Sequence, residues 1–260
     1  SFGTEKNAYQ NRILIGVEDS ANGRTDAENS LTGKTITIST ETNARESAQL
    51  KALSASTGVG VQASGAAINA YSHAKTLLSS GTSYRTGRAG QGGNAELTVH
   101  TKNLHTQDLD ARGISAGGVF ATATNLGSFN NVLRSDTVLY GAAGGSALRN
   151  AAFTTRSEAV KTGKADGSGG ALIAISPLAA GIYDNTNVSA QTKLKGTWHT
   201  SGALDVKAST NDESVHDVDA LQAAIVGGSG TELKKKLVQN AAVSVENAQI
   251  ETVGAQNYEA

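Results

Sequence analysis

Thr40, Thr101, Thr155 and Ser209 each close a short strand-like run, TITIST, LTVHT, AAFTT and LDVKAS, and the steps between them are 61, 54 and 54 residues. Asn69, Asn130 and Asp184 follow the first three of these anchors by 29 residues each time. The seven-residue excess of the first step therefore lies between Asn69 and Thr101, where SSGTSYRTGRAGQGG reads as an inserted loop. Self-similarity at a fixed period outranks local helix or strand preference, because each unit buries its apolar face only by stacking on its neighbours. The expected fold is all-β, a parallel β-helix (β-solenoid), right-handed as parallel crossovers generally are.

The stretch 95–148 divides into three pieces of equal length, AELTVHTKNLHTQDLDAR, GISAGGVFATATNLGSFN and NVLRSDTVLYGAAGGSAL. Each has apolar/polar alternation and then Gly, Asn or Asp, which predicts about 18 residues per rung within an internal repeat of about 54. At one strand spacing per rung, 260 residues make ~14 rungs and a rod ~65–70 Å long. The organisation is then one continuous solenoid. Residues 1–33 end a preceding repeat, 34–94 form repeat 1 with an inserted loop at about 79–93, and 95–148 and 149–202 form repeats 2 and 3. Repeat 4, 203–260, is truncated. RILIGVE (12–18) reads as a strand and GKADGSGG (163–170) as a turn. Residues 241–247 alternate as a strand, while 231–239 fit helix or strand.

Composition agrees with a coil. Aromatic residues are only 4% and methionine is absent, so a compact globule would lack its large core fillers, whereas a narrow interior needs only stacked Val, Ile, Leu and Ala. Thirty glycines suit tight corners, and the single proline, Pro177, is what a ladder paired on both sides tolerates. Neutral Ser, Thr and Asn are expected as outward columns, since like charges one rung apart would repel. With a formal net charge of −1 there is no electrostatic case for nucleic acid or an anionic membrane surface. No apolar run approaches the ~18 residues of a spanning helix. Without cysteine there are no disulfides and no thiolate metal sites. The start, SFGTEKNAYQ, is neither a signal peptide nor a polar cap, and suggests a piece of a longer chain.

Candidate chemistry is sparse. His100 and His105 share one segment that could pair on a metal, but no ligand spacing such as HExxH is present. Asp108 and Asp110, and again Asp212, Glu213, Asp217 and Asp219, are the carboxylates a glycan-cleaving β-helix would need. They recur with the repeat, Asp108 seven residues past its anchor and Asp217 eight, whereas a catalytic set should occur once and break it. GRAGQGGN and GKADGSGG lack the Gly-Lys-Ser/Thr ending of a phosphate loop and the tandem nonapeptides of a calcium coil. Trp198 and Tyr183 form either a sugar-stacking platform or an aromatic plug, and Asn187-Val188-Ser189 is a formal glycosylation acceptor. No catalytic, cofactor-binding or metal-ligating residue is assigned.

The modules LTVHTKNLHTQDLDARGISAGGVFATATN and LDVKASTNDESVHDVDALQAAIVGG resemble the repeats of giant bacterial filamentous adhesins, the leukotoxin-like and filamentous haemagglutinin-type family. Gly117-Gly118-Val119 carries the texture best, Gly169-Gly170-Ala171 and Gly227-Gly228-Ser229 more loosely, and Ser56-Thr57-Gly58 departs from it. The resemblance implies an extracellular, cell-surface, non-enzymatic role as stalk, adhesin or filament. Expected partners are further repeats of a longer chain, a second copy end to end, or a host or neighbouring-cell surface, with no nucleic acid and no membrane insertion. The alternative is a carbohydrate-active β-helix enzyme, a polysaccharide lyase or hydrolase.

Overall fold

A computed structural model describes residues 3–4, 6–16, 29–79, 82–85, 95–141 and 148–260, with backbone alone at 176–178. Among these every element is a strand. They are β1 (Tyr9–Ile15), β2 (Asn29–Thr32), β3 (Thr35–Ser56), β4 (Val59–Leu78), β5 (Thr82–Arg85), β6 (Ala95–Gly117), β7 (Phe120–Tyr140), β8 (Leu148–Gly170), β9 (Ile173–Thr200), β10 (Leu204–Ala223), β11 (Val226–Thr252) and β12 (Gln256–Glu259). All pairings between them are parallel. The chain is a parallel β-solenoid.

Its coils are long and flat. One ladder runs β3-β6-β8-β10-β12 and the other β1-β4-β7-β9-β11. Each coil is therefore one strand of the first ladder, a tight reversal, and one strand of the second. Thr40 pairs with Thr101 and Thr101 with Thr155, so the repeat of about 54 residues is itself one coil. This corrects the rung of 18. Alternation marks the two faces of a strand and not its ends, so three similar stretches lie within one circuit. Strands of 20 to 28 residues extend ~65–90 Å, while four stacked coils rise only ~20 Å. The molecule is a broad, flattened coil and not a thin rod.

The register also drifts by one residue in places. Thr155 pairs with Ala208, and Ser209 with Arg156. Asn130 pairs with Asn185, and Asp184 with Phe129, because an irregularity between Ala121 and Asn125 gives β9 two extra residues. Pro177, which has no amide hydrogen to donate, falls in that irregular stretch. The reversals align Gly58 with Val119 and Leu172 with Ile225 by backbone hydrogen bonds. Gly227-Gly228-Ser229 consequently lies past the turn, inside β11. GKADGSGG belongs to β8, with the turn beyond it. Residues 231–239 are strand, as are 241–247. The inserted segment contains β5, which pairs with β2; GRAGQGGN lies outside the described residues, as do Val17 and Glu18 of RILIGVE.

Alternate residues of both ladders point inward. At the loop end the interior is apolar: Ile38, Leu78, Leu97, Val99, Leu139, Leu148, Leu194 and Val206 pack around Trp198, Phe153 and Tyr84. Near the reversals the two sheets converge, and a Cβ at Gly167 would strike the Ala179 carbonyl. Between these ends buried polar side chains are interspersed with two smaller apolar clusters, one around Leu109, Phe129 and Ile182 and one around Leu133 and Val188. The expected outward threonine columns are inside: Thr40, Thr76, Thr101, Thr137, Thr155 and Thr192 are buried.

Candidate functional site

The polar middle of the coil begins on residues whose parity places them beside apolar neighbours. On β3, β6, β8 and β10 the column Glu46, Gln107, Lys161, Ser214 runs along the axis, next to Ala44, His105, Ala159, Asp212. Facing them from the other ladder, Phe129 stacks on Asp184 and Asp184 on Lys235. Inward polar groups cannot reach water, so they must satisfy one another.

The groups from Glu46 to Asp184 do so through one network. Glu46 accepts from Gln107 Nε2 at 2.9 Å and lies 2.7 Å from His105 Nδ1. Gln107 and Asn131 exchange two hydrogen bonds of 2.8 Å, and Asn131 donates to Thr186 at 3.2 Å. Thr186 donates to Asp184 Oδ1 at 2.6 Å. There the network becomes ionic. Lys161 Nζ donates to both oxygens of Asp184, at 2.8 and 2.7 Å, and to Thr186 at 2.7 Å. It also lies 2.7 Å from Asp212 Oδ1, while Lys235 Nζ lies 2.7 Å from Asp212 Oδ2. Both contacts with Asp212 are within ion-pair distance but outside hydrogen-bonding direction.

The side chains of Lys161, Asp184 and Asp212 are fully buried, with 0% exposure each. His216 Nε2 donates to Asp184 Oδ2 at 3.0 Å, and its ring stacks on Phe129 at 5.4 Å. Gly163 makes this possible, since a Cβ there would come within 2.8 Å of His216 Nδ1. Burial by itself would raise the Asp184 pKa, but hydrogen bonds from His216, Lys161 and Thr186 outweigh it and hold the carboxyl at about 2.

Among the described residues the ionic cluster occurs once. One coil back from Lys161 and Asp184, Gln107 and Phe129 stand at their register, and Ala159, on β8 itself, stands at the register of Asp212. A charged constellation that interrupts a repeat is the pattern expected of chemistry rather than of texture. Its Lys161, Asp184 and Asp212 side chains are sealed from solvent, while Lys235 reaches the surface.

The residues singled out in the sequence fall elsewhere. His100 is exposed on the outer face and His105 buried on the inner one, so they cannot share a metal. Asp108 is exposed, and Asp110 pairs with Arg112 at 2.6 Å. Asp217 aligns through Lys164 with Asp110, not Asp108. Asp212 is interior, its side chain 0% exposed. Trp198 is buried against Phe153 at 5.3 Å and Tyr84, whereas Tyr183 lies on the outer face, donating to Glu232, so the two form neither a platform nor a plug together; the plug is Trp198 with Phe153 and Tyr84. Among the described residues no cluster of three His, Cys, Asp or Glu is placed to hold a metal ion. Comparison of the chain with protein-family models, characterised proteins and solved structures finds no match to any of them.

Proposed function

We propose that the chain is a structural or adhesive segment of a large secreted bacterial surface protein, a stiff stalk or a fibre-forming unit without catalysis. The observation that supports this reading is the state of the two ends. Among the described residues, β3 has a ladder partner on one side only, and β11 likewise. Interior-column residues of the last coil, Leu233, Leu237 and Val245, are 52%, 38% and 47% exposed. An unpaired edge bearing the apolar side chains of a core is extended naturally by another coil, from the same chain or from a second copy. The Lys234-Lys235-Lys236 run on β11 limits indiscriminate pairing, as edge lysines do.

The flat coil shifts the emphasis of the role. At about 54 residues per ~4.8 Å rise, the fold is a poor way to gain reach and a good way to gain cross-section and outer surface. Sedimentation and electron microscopy of the isolated chain, with the mass of the native polypeptide, test the reading. Axial stacks, or a parent chain continuing the coil, support it. A strict monomer that is complete as it stands overturns it.

A further inference from the structure

We propose that Lys161 and Asp184 join in an intramolecular amide bond that ties the two strands of one coil together, with Asp212 carrying the proton between them. The two residues face each other across the interior, Lys161 on β8 and Asp184 on β9. Lys161 Nζ is nearly equidistant from the two Asp184 oxygens, at 2.8 and 2.7 Å, the geometry of a bidentate ion pair. Carboxylate geometry then puts Nζ about 3 Å from Cγ, the separation of a near-attack arrangement, and rotation of the carboxyl about Cβ–Cγ would turn its face to the amine. Asp212 is not placed this way: one of its oxygens lies 2.7 Å from Lys161 Nζ and the other 2.7 Å from Lys235 Nζ, both off hydrogen-bonding direction, so its carboxyl must rotate before it takes a proton from Nζ.

The balance needs no co-reactant. The ammonium of Lys161 gives one proton to Asp184 along their hydrogen bond, leaving a neutral amine beside a carboxylic acid, and the amine lone pair attacks Cγ. The Nζ–Cγ bond forms, Asp212 takes one proton from the now cationic Nζ, and the tetrahedral centre collapses by breaking one Cγ–O bond. The departing hydroxyl takes that proton from Asp212 and leaves as water. Ammonium and carboxylate become amide and water; no electrons change hands and Asp212 ends as it began. His216 and Thr186 donate to the Asp184 oxygens where negative charge accumulates in the tetrahedral centre, the placement that stabilises such a transition state. The site is dry, so the product is shielded from hydrolysis.

The position suits a mechanical purpose. Among the described residues β8 and β9 share backbone pairing only at Leu148 with Thr200, so the strands of a coil are otherwise held by side-chain packing. An amide near mid-strand would stop that coil from opening even when its neighbours are pulled away. The bond depends on the buried cluster and would form whether or not the chain is a surface stalk.

Intact mass of the full chain under denaturing conditions, followed by tryptic mapping, tests it. The expected result is a mass lower than the sequence mass by one water, loss of cleavage after Lys161, and a branched peptide joining Lys161 to Asp184. Asp212→Asn should lower the branched fraction more than ~10-fold at matched times, since positioned proton transfer typically contributes ~10²–10⁴-fold. The full sequence mass in the folded wild-type chain overturns the proposal without any variant. So does a water loss that maps to an aspartyl succinimide, or a branch ending at Asp212.

Discussion

Thr101 donates its hydroxyl to Thr76 across the interior at 2.7 Å and accepts from Thr137 at 2.7 Å. Thr76 in turn donates to Thr40 at 2.8 Å, Thr155 donates to Thr137 at 2.7 Å, and Thr155 and Thr192 lie 2.6 Å apart. The six residues alternate between the two ladders, so this chain of hydroxyls climbs the axis in a zigzag through three coils. Thr76, Thr101 and Thr137 each donate to one buried threonine and accept from another, and hydrogen bonds in such a series polarise one another. The threonines that set the period in sequence thus do so because they lock one coil to the next.

Thr101→Val keeps the shape and removes the link. It leaves Thr137 without its acceptor and Thr76 without its donor, inside a sealed interior. The expected loss is about 1–3 kcal/mol, the cost of stranding buried partners. Thr162→Val, on the exposed face of the neighbouring strand, should change stability by less than ~0.5 kcal/mol. Urea unfolding of the three proteins measures both; equal midpoints for wild type and Thr101→Val would show that the ladder contributes nothing.

Trp198 is the sole tryptophan, 1% exposed, with Nε1 donating to the Lys195 carbonyl at 3.0 Å and the ring against Phe153 and Tyr84. Its fluorescence should be blue-shifted and poorly quenched by acrylamide until the chain unfolds. Trp198→Ala should cost about 3–5 kcal/mol, as truncation of a large core aromatic does. A red-shifted, readily quenched native spectrum would place this residue on the surface and remove the apolar anchor of the loop end.

Much of this was legible. The spacing of Thr40, Thr101 and Thr155 is the coil, and the parity of Val206 and Val218 already puts Asp212 and His216 inside; Phe153 and Ala165 do the same for Lys161. What hid the cluster was the assumption that charge faces water, which fails when charges of opposite sign meet across a narrow interior. Asp184 and Lys161 lie 23 positions apart around a reversal, and no local motif links them. The coil length was hidden for a different reason. Glycines such as Gly163 and Gly167 resemble turn residues, yet they serve to let the sheets approach, and a strand of more than 20 residues is far longer than usual.

Gly167→Ala tests that convergence. Its Cβ would collide with the backbone carbonyl of Ala179, which has no flexible end to move aside. Overpacking of this kind typically costs about 1–3 kcal/mol. Gly228→Ala, where a Cβ meets nothing within 4 Å, should be neutral or stabilising by up to ~1 kcal/mol through its effect on the unfolded chain. Thermal melts of the pair decide the matter: tolerance at both sites would mean that the sheets do not close down at the reversal.

Hydrogen exchange reads the ladder directly. In a parallel strand, successive residues direct their backbone groups to opposite neighbours. β7 lies between β4 and β9 and pairs on both sides, so its amides should all be slow except at the irregularity between Ala121 and Asn125. β11 pairs with β9 alone among the described strands, so its protection should alternate: amides aimed at β9 slow, those between them close to the rate of an unstructured chain. In an axial stack the second set should also slow, because an incoming coil would take up those donors. The concentration dependence of exchange at alternate β11 residues therefore distinguishes an isolated coil from an assembling one. Uniform fast exchange along the whole of β11 would show instead that the last coil is not formed in solution.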